Sequence, residues 1–338
     1  MSKTFIVAEL SANHGHNLET ALASVRAIAK AGVDAVKIQT YTADTITLDC
    51  DKVDFVVAGG TLWDNTKLYD LYKEAYTPWE WHQAIFDEAK KCGIICFSTP
   101  FDNTAVDFLE ECGNPIMKIA SFEITDVNLI RYAASKGKPM VISTGVATQE
   151  DIELAIQACH EAGNHDITLL RCVSAYPAPL ENVNLRTMHD MKERYGVKVG
   201  LSDHTMGSDV AIAAVALGAE MIEKHFILDR SIGGPDAAFS MTVDEFKSMV
   251  TSIRNVEKAI GDVVYPSDPS TIKGRQFSRS LYVAEAMKAG DILTEKNLRC
   301  VRPGYGLHPK YLNDCLGKKV NRDLEKGERF ALEMIDNL

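Results

Sequence analysis

Two short apolar runs of this chain each lead into a histidine. Val199-Gly200-Leu201 continues into Ser202-Asp203-His204, and Met221-Ile222 continues into Glu223-Lys224-His225. Residues 206–218 between them are rich in alanine and valine, so the pattern predicts a strand, a helix and a second strand. Neighbouring parallel strands lie about 4.8 Å apart, so imidazoles at their carboxyl ends could bind one metal ion. The alternative is that each histidine only makes hydrogen bonds within its own loop.

Two lysines lie inside other apolar runs, Val36-Lys37-Ile38 and Met117-Lys118-Ile119. A buried lysine is costly unless it has a partner. Serines and threonines end several neighbouring runs, and their hydroxyl groups can donate hydrogen bonds to phosphate oxygens. These residue types together predict a binding site for an anion. The alternatives are an ordinary salt bridge for each lysine, or a lysine that forms a Schiff base, as in an aldolase.

The elements that must position these residues repeat along the first 230 residues. Eight apolar runs have the length of buried strands, and stretches with helical spacing separate them. The runs are Phe5–Ala8, Ala35–Ile38, Ile94–Phe97, Ile116–Ala120, Met140–Ile142, Ile167–Leu170, Val197–Leu201 and Glu220–Ile222. Eight strand–helix units in about 250 residues predict an α/β fold, the (β/α)8 TIM barrel. A doubly wound sheet is the alternative, but it normally has fewer strands, and no Gly-x-Gly-x-x-Gly motif follows the first run.

Active sites of such barrels lie at the carboxyl ends of the strands. Glu9 closes the first run, where its carboxylate could orient a lysine or stabilise positive charge that develops on a substrate.

Residues 50–76 interrupt the alternation of strands and helices after the second run. Their aromatic residues predict either a wall for a substrate or a packed cover over the barrel rim.

The composition of the chain changes after the barrel region. Residues 1–262 form the predicted barrel domain, and residues 263–279, with two prolines and several serines, form a predicted linker. Residues 280–338 contain short β-like runs and many turns, which predicts a small C-terminal domain. A segment of about 60 residues has a marginal core, so we expect it to dock on another surface.

Charge and cysteine content restrict the class of protein. The net charge of −11 argues against binding to nucleic acid or to an anionic membrane. The chain has no apolar run of the roughly 20 residues that a membrane span needs and no signal-peptide pattern, so we expect a cytoplasmic protein. The eight cysteines show no Cys-x-x-Cys spacing, which favours reduced, buried thiols over disulfides or a zinc site.

Seven ordered motifs resemble those of the sialic acid synthase family, the phosphoenolpyruvate-dependent nonulosonate synthases. The final segment, with Arg302-Pro303-Gly304, resembles that family's antifreeze-like (SAF) domain. Residues 37–42, 59–64 and 77–81 look most like the branch that makes pseudaminic acid, and N-acetylneuraminate and legionaminate synthases are the alternatives. The seven motifs are Ala8–His14, Lys37–Thr40, Ser98–Phe101, Lys118–Ser121, Ser143–Gly145, Leu201–His204 and Glu223–Phe226.

The resemblance implies a transferase reaction. Phosphoenolpyruvate would condense with 2,4-diacetamido-2,4,6-trideoxy-beta-L-altropyranose and water, and C–O cleavage would give pseudaminic acid and phosphate. The resemblance also implies a divalent metal on His204 and His225, most commonly Mn2+, with Mg2+ or Co2+ as substitutes. The competing hypotheses are a Schiff-base aldolase and a binding module that has lost catalysis.

Roles for further residues follow from the same resemblance. Glu9, His204 and His225 would be the catalytic residues. Arg302 would come from the partner subunit of a domain-swapped homodimer. Ser174 departs from the asparagine that is usual at its position in the family, which puts that contact in doubt. The residues implied for phosphoenolpyruvate are Lys37, Thr99, Lys118, Ser121, Ser143 and Ser202, and those for the sugar are Gln39, Tyr176, Asp236 and Arg302.

Overall fold

A computed structural model describes residues 3–58 and 63–336. The chain forms two compact units that divide between Gly261 and Asp262. None of the helices in the described parts of the chain is long and apolar enough to cross a lipid bilayer.

The first unit contains a closed barrel of eight parallel strands in the order β1 to β8. Strand β1 pairs with β2 on one side and with β8 on the other, which closes the barrel. The predicted TIM barrel is therefore confirmed. The strands are β1 Phe5–Glu9, β2 Ala35–Thr40, β3 Ile95–Pro100, β4 Met117–Ile119, β5 Met140–Ser143, β6 Ile167–Cys172, β7 Lys198–Asp203 and β8 Met221–His225.

Helices follow the strands and bury their apolar faces against the outer wall of the barrel. Several begin at side chains that accept hydrogen bonds from free backbone N–H groups, such as Asn17, Asp102 and Thr148. The helices of this unit are α1 Leu18–Lys30, α2 Ala43–Ile46, α3 Leu68–Ala75, α4 His82–Lys91, α5 Asn103–Glu111, α6 Val127–Ala134, α7 Gln149–Glu161, α8 Arg186–Tyr195, α9 Asp209–Ala216 and α10 Val243–Ile260.

Side chains alternate between the two faces of each strand, so every second residue points into the barrel. The amino-terminal half of the interior is apolar, and Gly200 leaves room there because a Cβ atom would overlap the carbonyl oxygen of Met221 and the side chain of Leu170. This apolar layer packs beneath the side chains that lie nearer the carboxyl ends of the strands. Its buried members are Val7, Ala35, Phe97, Val141, Leu170 and Met221.

The predicted insertion between β2 and β3 contains the short helix α2 and the helix α3. Residues 59–62 of its Gly-Gly-Thr-Leu-Trp-Asp motif lie outside the described residues. Trp63 is described, and its ring lies 5.6 Å from the ring of Tyr176. The insertion therefore reaches the carboxyl end of the barrel.

The second unit has its own apolar core and a two-stranded antiparallel sheet. Its strands are β9 Ser280–Val283 and β10 Leu298–Val301, and its helix is α11 Leu312–Cys315. Residues 269–271 and 275–277, within the predicted linker, form short 3-10 turns. Arg302 follows β10 directly and is exposed within this unit.

Candidate active site

One layer of polar side chains fills the carboxyl half of the barrel interior. Each strand contributes one residue, and in six of the strands it lies two positions beyond the member of the apolar layer. All eight are buried, so the layer is shielded from bulk water. The residues are Glu9, Lys37, Thr99, Lys118, Ser143, Cys172, Ser202 and Glu223, and we call them the polar layer.

Lys37 lies between two carboxylates. Its Nζ is 2.7 Å from Glu9 Oε2 and 3.3 Å from Glu223 Oε1, and it donates to Thr99 Oγ1 at 3.4 Å. Burial alone would lower the pKa of Lys37, but attraction by Glu223 and Glu9 outweighs burial and raises it. Burial and repulsion from Glu223 raise the pKa of Glu9 against the pull of Lys37. Glu9 can therefore exchange a proton nearer neutral pH than an ordinary carboxyl group.

Lys118 differs from Lys37 because it has no carboxylate partner among the described residues. Its Nζ donates to Ser143 Oγ at 2.7 Å and to the carbonyl oxygen of Ile119 at 2.9 Å. Burial lowers its pKa, although the more distant Glu223 opposes that shift. A buried ammonium group beside a hydroxyl and without a counter-ion is suited to hold an anion.

Ser121 and Ser174 form a hydroxyl pair at the edge of the polar layer. Ser174 donates to Ser121 Oγ at 3.0 Å, and the same oxygen accepts from the N–H of Val146 at 3.1 Å. Gly145 permits this arrangement because a Cβ atom there would overlap both hydroxyl groups. Ser174 is therefore hydrogen-bonded to Ser121, one of the residues that the resemblance implies for phosphoenolpyruvate.

The two histidines meet at the end of the barrel. Their ring centroids are 5.3 Å apart. His204 Nδ1 lies 3.0 Å from the carbonyl oxygen of Val173, which leaves its Nε2 available. His225 Nδ1 is buried without a hydrogen-bond partner, and its nearest carboxylate oxygen, on Asp236, is 3.8 Å away.

Burial lowers the pKa of both His204 and His225 to about 3, so both imidazoles are neutral at pH 7. Neutral imidazole is the form that binds metal ions. No group of three metal-binding side chains occurs in residues 3–58 and 63–336. An ion at this place would therefore have at most two side-chain ligands from the described residues.

A cavity of about 430 Å³ opens beside His225. Gln39, Tyr176 and Asp236, the predicted sugar residues of this unit, all line it, together with His225. Gln39 donates to Glu9 Oε1 and to Ser11 Oγ, each at 3.1 Å, and the ring of Tyr176 lies 4.5 Å from that of His204. Arg302 belongs to the other unit and is the one predicted site residue outside the barrel.

The predicted site residues omit Cys172, Glu223 and Glu123. The first two complete the polar layer, and the alternation of side chains along β6 and β8 carries the signal that could have found them. Glu123 lies in a 3-10 turn after β4 and lines the cavity, and burial raises its pKa to about 7. Only its surroundings distinguish it from an ordinary surface glutamate.

Comparison with known families gives two matches. Residues 24–265 match the model of the NeuB family, and residues 278–335 match the model of the SAF domain. These matches confirm the family resemblance that the seven motifs predicted.

Named relatives agree with this assignment. The chain is 49% identical to the pseudaminic acid synthase of Campylobacter jejuni subsp. jejuni serotype O:23/36 (strain 81-176), covering 96% of this chain and 95% of that protein. It is 46% identical to the pseudaminic acid synthase of Helicobacter pylori (strain ATCC 700392 / 26695), covering 98% and 97%. The crystal structure of the N-acetylneuraminic acid synthetase from Leptospira borgpetersenii is similar, with a TM-score of 0.71, 30% identity, and coverage of 80% and 89%.

Proposed function

The chain belongs to the NeuB family of sialic acid synthases, and we propose that its activity is the synthesis of pseudaminic acid. The identity of 46–49% to two pseudaminic acid synthases over nearly the whole chain supports this product. The lower identity of 30% to an N-acetylneuraminic acid synthetase argues against that alternative. The single structural observation that carries the chemistry is Lys118, a buried cation without a carboxylate partner in the polar layer of the described barrel.

The reaction joins phosphoenolpyruvate to the open-chain form of 2,4-diacetamido-2,4,6-trideoxy-beta-L-altropyranose. C3 of phosphoenolpyruvate forms a bond to the aldehyde carbon of the sugar, whose oxygen takes up a proton. Water then adds to C2, and the C2–O bond breaks to release phosphate. The two substrates and one water therefore give the nine-carbon acid and phosphate, and the reaction is a transferase reaction.

Lys118 and Ser143 hold the anionic part of phosphoenolpyruvate in this proposal, and Ser121 donates to it from the neighbouring loop. Lys118 gains a counter-ion that it lacks among the described residues, so anion binding relieves an unpaired buried charge. Lys37, Thr99 and Ser202 complete the anion site. Ser202 donates to Glu223 Oε1 at 3.0 Å, which keeps that carboxylate directed at Lys37.

Glu9 stabilises the positive charge that develops at C2 and moves a proton there. Its raised pKa suits the proton transfer, since the group can accept a proton near neutral pH, and its ionised form supplies the negative charge that stabilises C2. Gln39 donates to Glu9 Oε1 and fixes the direction of the carboxylate. Glu9, Gln39 and Lys37 thus act as one positioned group.

His204 and His225 would hold a divalent metal ion, Mn2+ or in its place Mg2+ or Co2+. A bound ion supplies Lewis-acid polarisation of the sugar aldehyde and a site for water. The unpartnered Nδ1 of His225 and the neutral state of both rings support this assignment. Asp236, near His225, and Tyr176, beside His204, contact the sugar.

Arg302 contacts the sugar from the partner subunit of a domain-swapped homodimer in this proposal. The loops after β4 to β8 each expose an apolar side chain at the carboxyl end of the barrel, the end that a partner's Arg302 would have to reach in this proposal. These residues are Phe122, Val146, Leu180, Met206 and Ile232. We also propose a cytoplasmic location.

The reaction is tested by incubating the protein with phosphoenolpyruvate, Mn2+ and each of three sugars: the altro sugar above, its legionaminate-pathway counterpart and N-acetylmannosamine. We expect phosphate release and a nine-carbon acid, detected by mass, with the altro sugar and metal together. Turnover only with another sugar would assign that sugar's product instead.

A Schiff-base aldolase is the second candidate, because the lowered pKa of Lys118 is what an imine-forming lysine requires. Borohydride treatment during turnover distinguishes the two. A covalent adduct on Lys118 and activity that survives a chelator would favour the aldolase.

A further inference from the structure

The turn that follows β1 contains a buried serine in an unusual backbone conformation. The N–H of Asn13 donates to the carbonyl oxygen of Leu10 at 3.0 Å and closes the turn, and Ser11 has a φ of 45°. This backbone conformation favours glycine, because a Cβ atom is crowded there. Among residues 3–58 and 63–336, four residues other than glycine have a positive φ, and of these four only Ser11 is buried and lines the cavity.

The hydroxyl group of Ser11 accepts a hydrogen bond from Gln39, a residue of the proposed sugar site. Gln39 Nε2 donates to Ser11 Oγ and to Glu9 Oε1, each at 3.1 Å. Both protons of the amide nitrogen are then engaged, so the amide oxygen Oε1 is the group that Gln39 can offer to a ligand. Ser11 therefore helps to decide which end of this amide faces the cavity.

The same hydroxyl group also acts on Asp236, on the opposite side of the turn. Burial raises the pKa of Asp236, and Ser11, which can donate its own proton to this carboxyl group, opposes the rise. The next residue adds a second contact, since the N–H of Ala12 donates to Asp236 Oδ2 at 3.4 Å. The turn after β1 thus contacts a carboxyl group from the loop after β8.

Asn13 holds the turn against this loop. Its side chain is fully buried, and its Nδ2 donates to the carbonyl oxygen of Phe226 at 2.9 Å and to Ser240 Oγ at 2.8 Å. Ser240 donates in turn to the backbone carbonyl oxygen of Asp236 at 2.6 Å. These bonds fix the backbone of Asp236, whereas Ser11 and Ala12 contact its carboxyl group.

We propose that Ser11 is a positioning residue, whose hydroxyl group joins Gln39 to Asp236 and fixes both side chains for the sugar. The inference rests on the proposed function, and it concerns how the site is held in place rather than which sugar it accepts. It also accounts for the strained backbone. Glycine would form this turn without strain, but it would leave one N–H of Gln39 without its acceptor and Asp236 without a donor.

Ser11→Gly and Ser11→Ala both remove the hydroxyl group, but only the first relieves the backbone strain. Both should lower kcat/KM for the sugar about tenfold, mainly through KM, because Gln39 and Asp236 each lose a hydrogen-bond partner. The KM for phosphoenolpyruvate should change less than about twofold, since the residues proposed to hold it are unaltered. Only Ser11→Gly should unfold at a higher urea concentration than the unaltered protein.

A double substitution tests whether Ser11 acts through Gln39. In a Gln39→Ala background, Ser11→Gly should lower kcat/KM for the sugar by less than about threefold, because one of the two groups that the hydroxyl positions is already absent. A full tenfold loss in that background would show that the two residues act independently, which contradicts the proposed link.

Asn184→Gly is the matched control, because Asn184 also has a positive φ, of 48°, but is exposed and does not line the cavity. It should keep both KM values. The inference is overturned if Ser11→Gly has normal kinetics, if only Ser11→Ala is impaired, or if both substrates are weakened equally. If the unaltered protein releases no phosphate with any sugar, the proposed function fails and the inference falls with it, which is a distinct result.

Discussion

On strand β8, the buried charged side chain of the outward face is fully partnered, whereas the buried polar side chains of the inward face are not. Lys224 points outwards, where its Nζ lies 2.8 Å from Asp203 Oδ2 and 2.5 Å from the carbonyl oxygen of Thr205. The other carboxylate oxygen of Asp203 accepts two hydrogen bonds from Thr205. Every charge of this group has a near partner, so the network is closed and structural.

The neighbours of Lys224 on the same strand point inwards and are incompletely bonded. Glu223 Oε2 and His225 Nδ1 are buried without hydrogen-bond partners, and Lys118 across the barrel has no carboxylate partner in the described residues. A buried group without a partner is costly and needs an explanation, and a bound ligand is the explanation that the proposed function offers. The comparison teaches that bonding state, rather than burial or residue type, separates the chemical face from the structural one.

Among substitutions on the inward face, those of the two histidines should have the largest effect on turnover. His204→Ala or His225→Ala should lower turnover by at least about 10³-fold, because the proposed metal ion supplies several kcal/mol of charge stabilisation. Phosphate release measures the loss, and circular dichroism should show an unchanged fold. Removal of metal from the unaltered enzyme by a chelator should have a similar effect. Near-normal turnover of either variant without added metal would refute the metal assignment.

Lys37→Met should lower kcat/KM for phosphoenolpyruvate by about 10²–10³-fold, since it removes a positioned charge from the reacting centre. Its stability should fall less than that of Lys224→Met, because Glu9, whose pKa is already raised, can take up a proton, while Glu223 keeps its hydrogen bond from Ser202 and its attraction to Lys118. Steady-state kinetics and urea unfolding measure the two effects. A large loss of stability with unchanged kinetics would mean that Lys37, like Lys224, has only a structural role.

Lys224→Met should show the reverse behaviour. It leaves Asp203 buried without its counter-ion, which should lower the free energy of unfolding by about 3–5 kcal/mol. The turnover of the folded fraction should fall by less than about tenfold, because Lys224 is outside the proposed site. Adding Asp203→Asn should recover part of the stability, since the amide oxygen can still accept from Thr205. Unfolding of Lys224→Met at the same urea concentration as the unaltered protein would contradict the comparison.

The smallest effect concerns the second unit. Arg302→Ala should raise the KM for the sugar by about tenfold, the equivalent of one lost hydrogen bond from a charged group. The KM for phosphoenolpyruvate should change less, because that substrate lies within the barrel in our proposal. Equal weakening of both substrates would mean that Arg302 does not contact the sugar.

Local sequence pattern determined much of this architecture. Eight apolar runs and the helical spacing between them predict the barrel, because strand and helix periodicities are properties of neighbouring residues. Six of the eight polar-layer residues appear among the predicted site residues. Cys172 was missed because strand ends, rather than alternation along the strands, guided the prediction, and Glu223, which does lie near the end of the eighth run, was assigned no role.

Pairing within the layer was decided by the tertiary structure alone. Lys37 and Lys118 have similar surroundings in sequence, yet Lys37 lies between Glu9 and Glu223 whereas Lys118 reaches Ser143. Closure of the barrel brings β8 beside β1, so residues more than 200 positions apart in the chain come into contact. Contacts at that separation depend on the closed ring and leave no periodic signal in the sequence. The sequence therefore determines the types of the reactive groups, and the tertiary structure determines which of them lacks a partner.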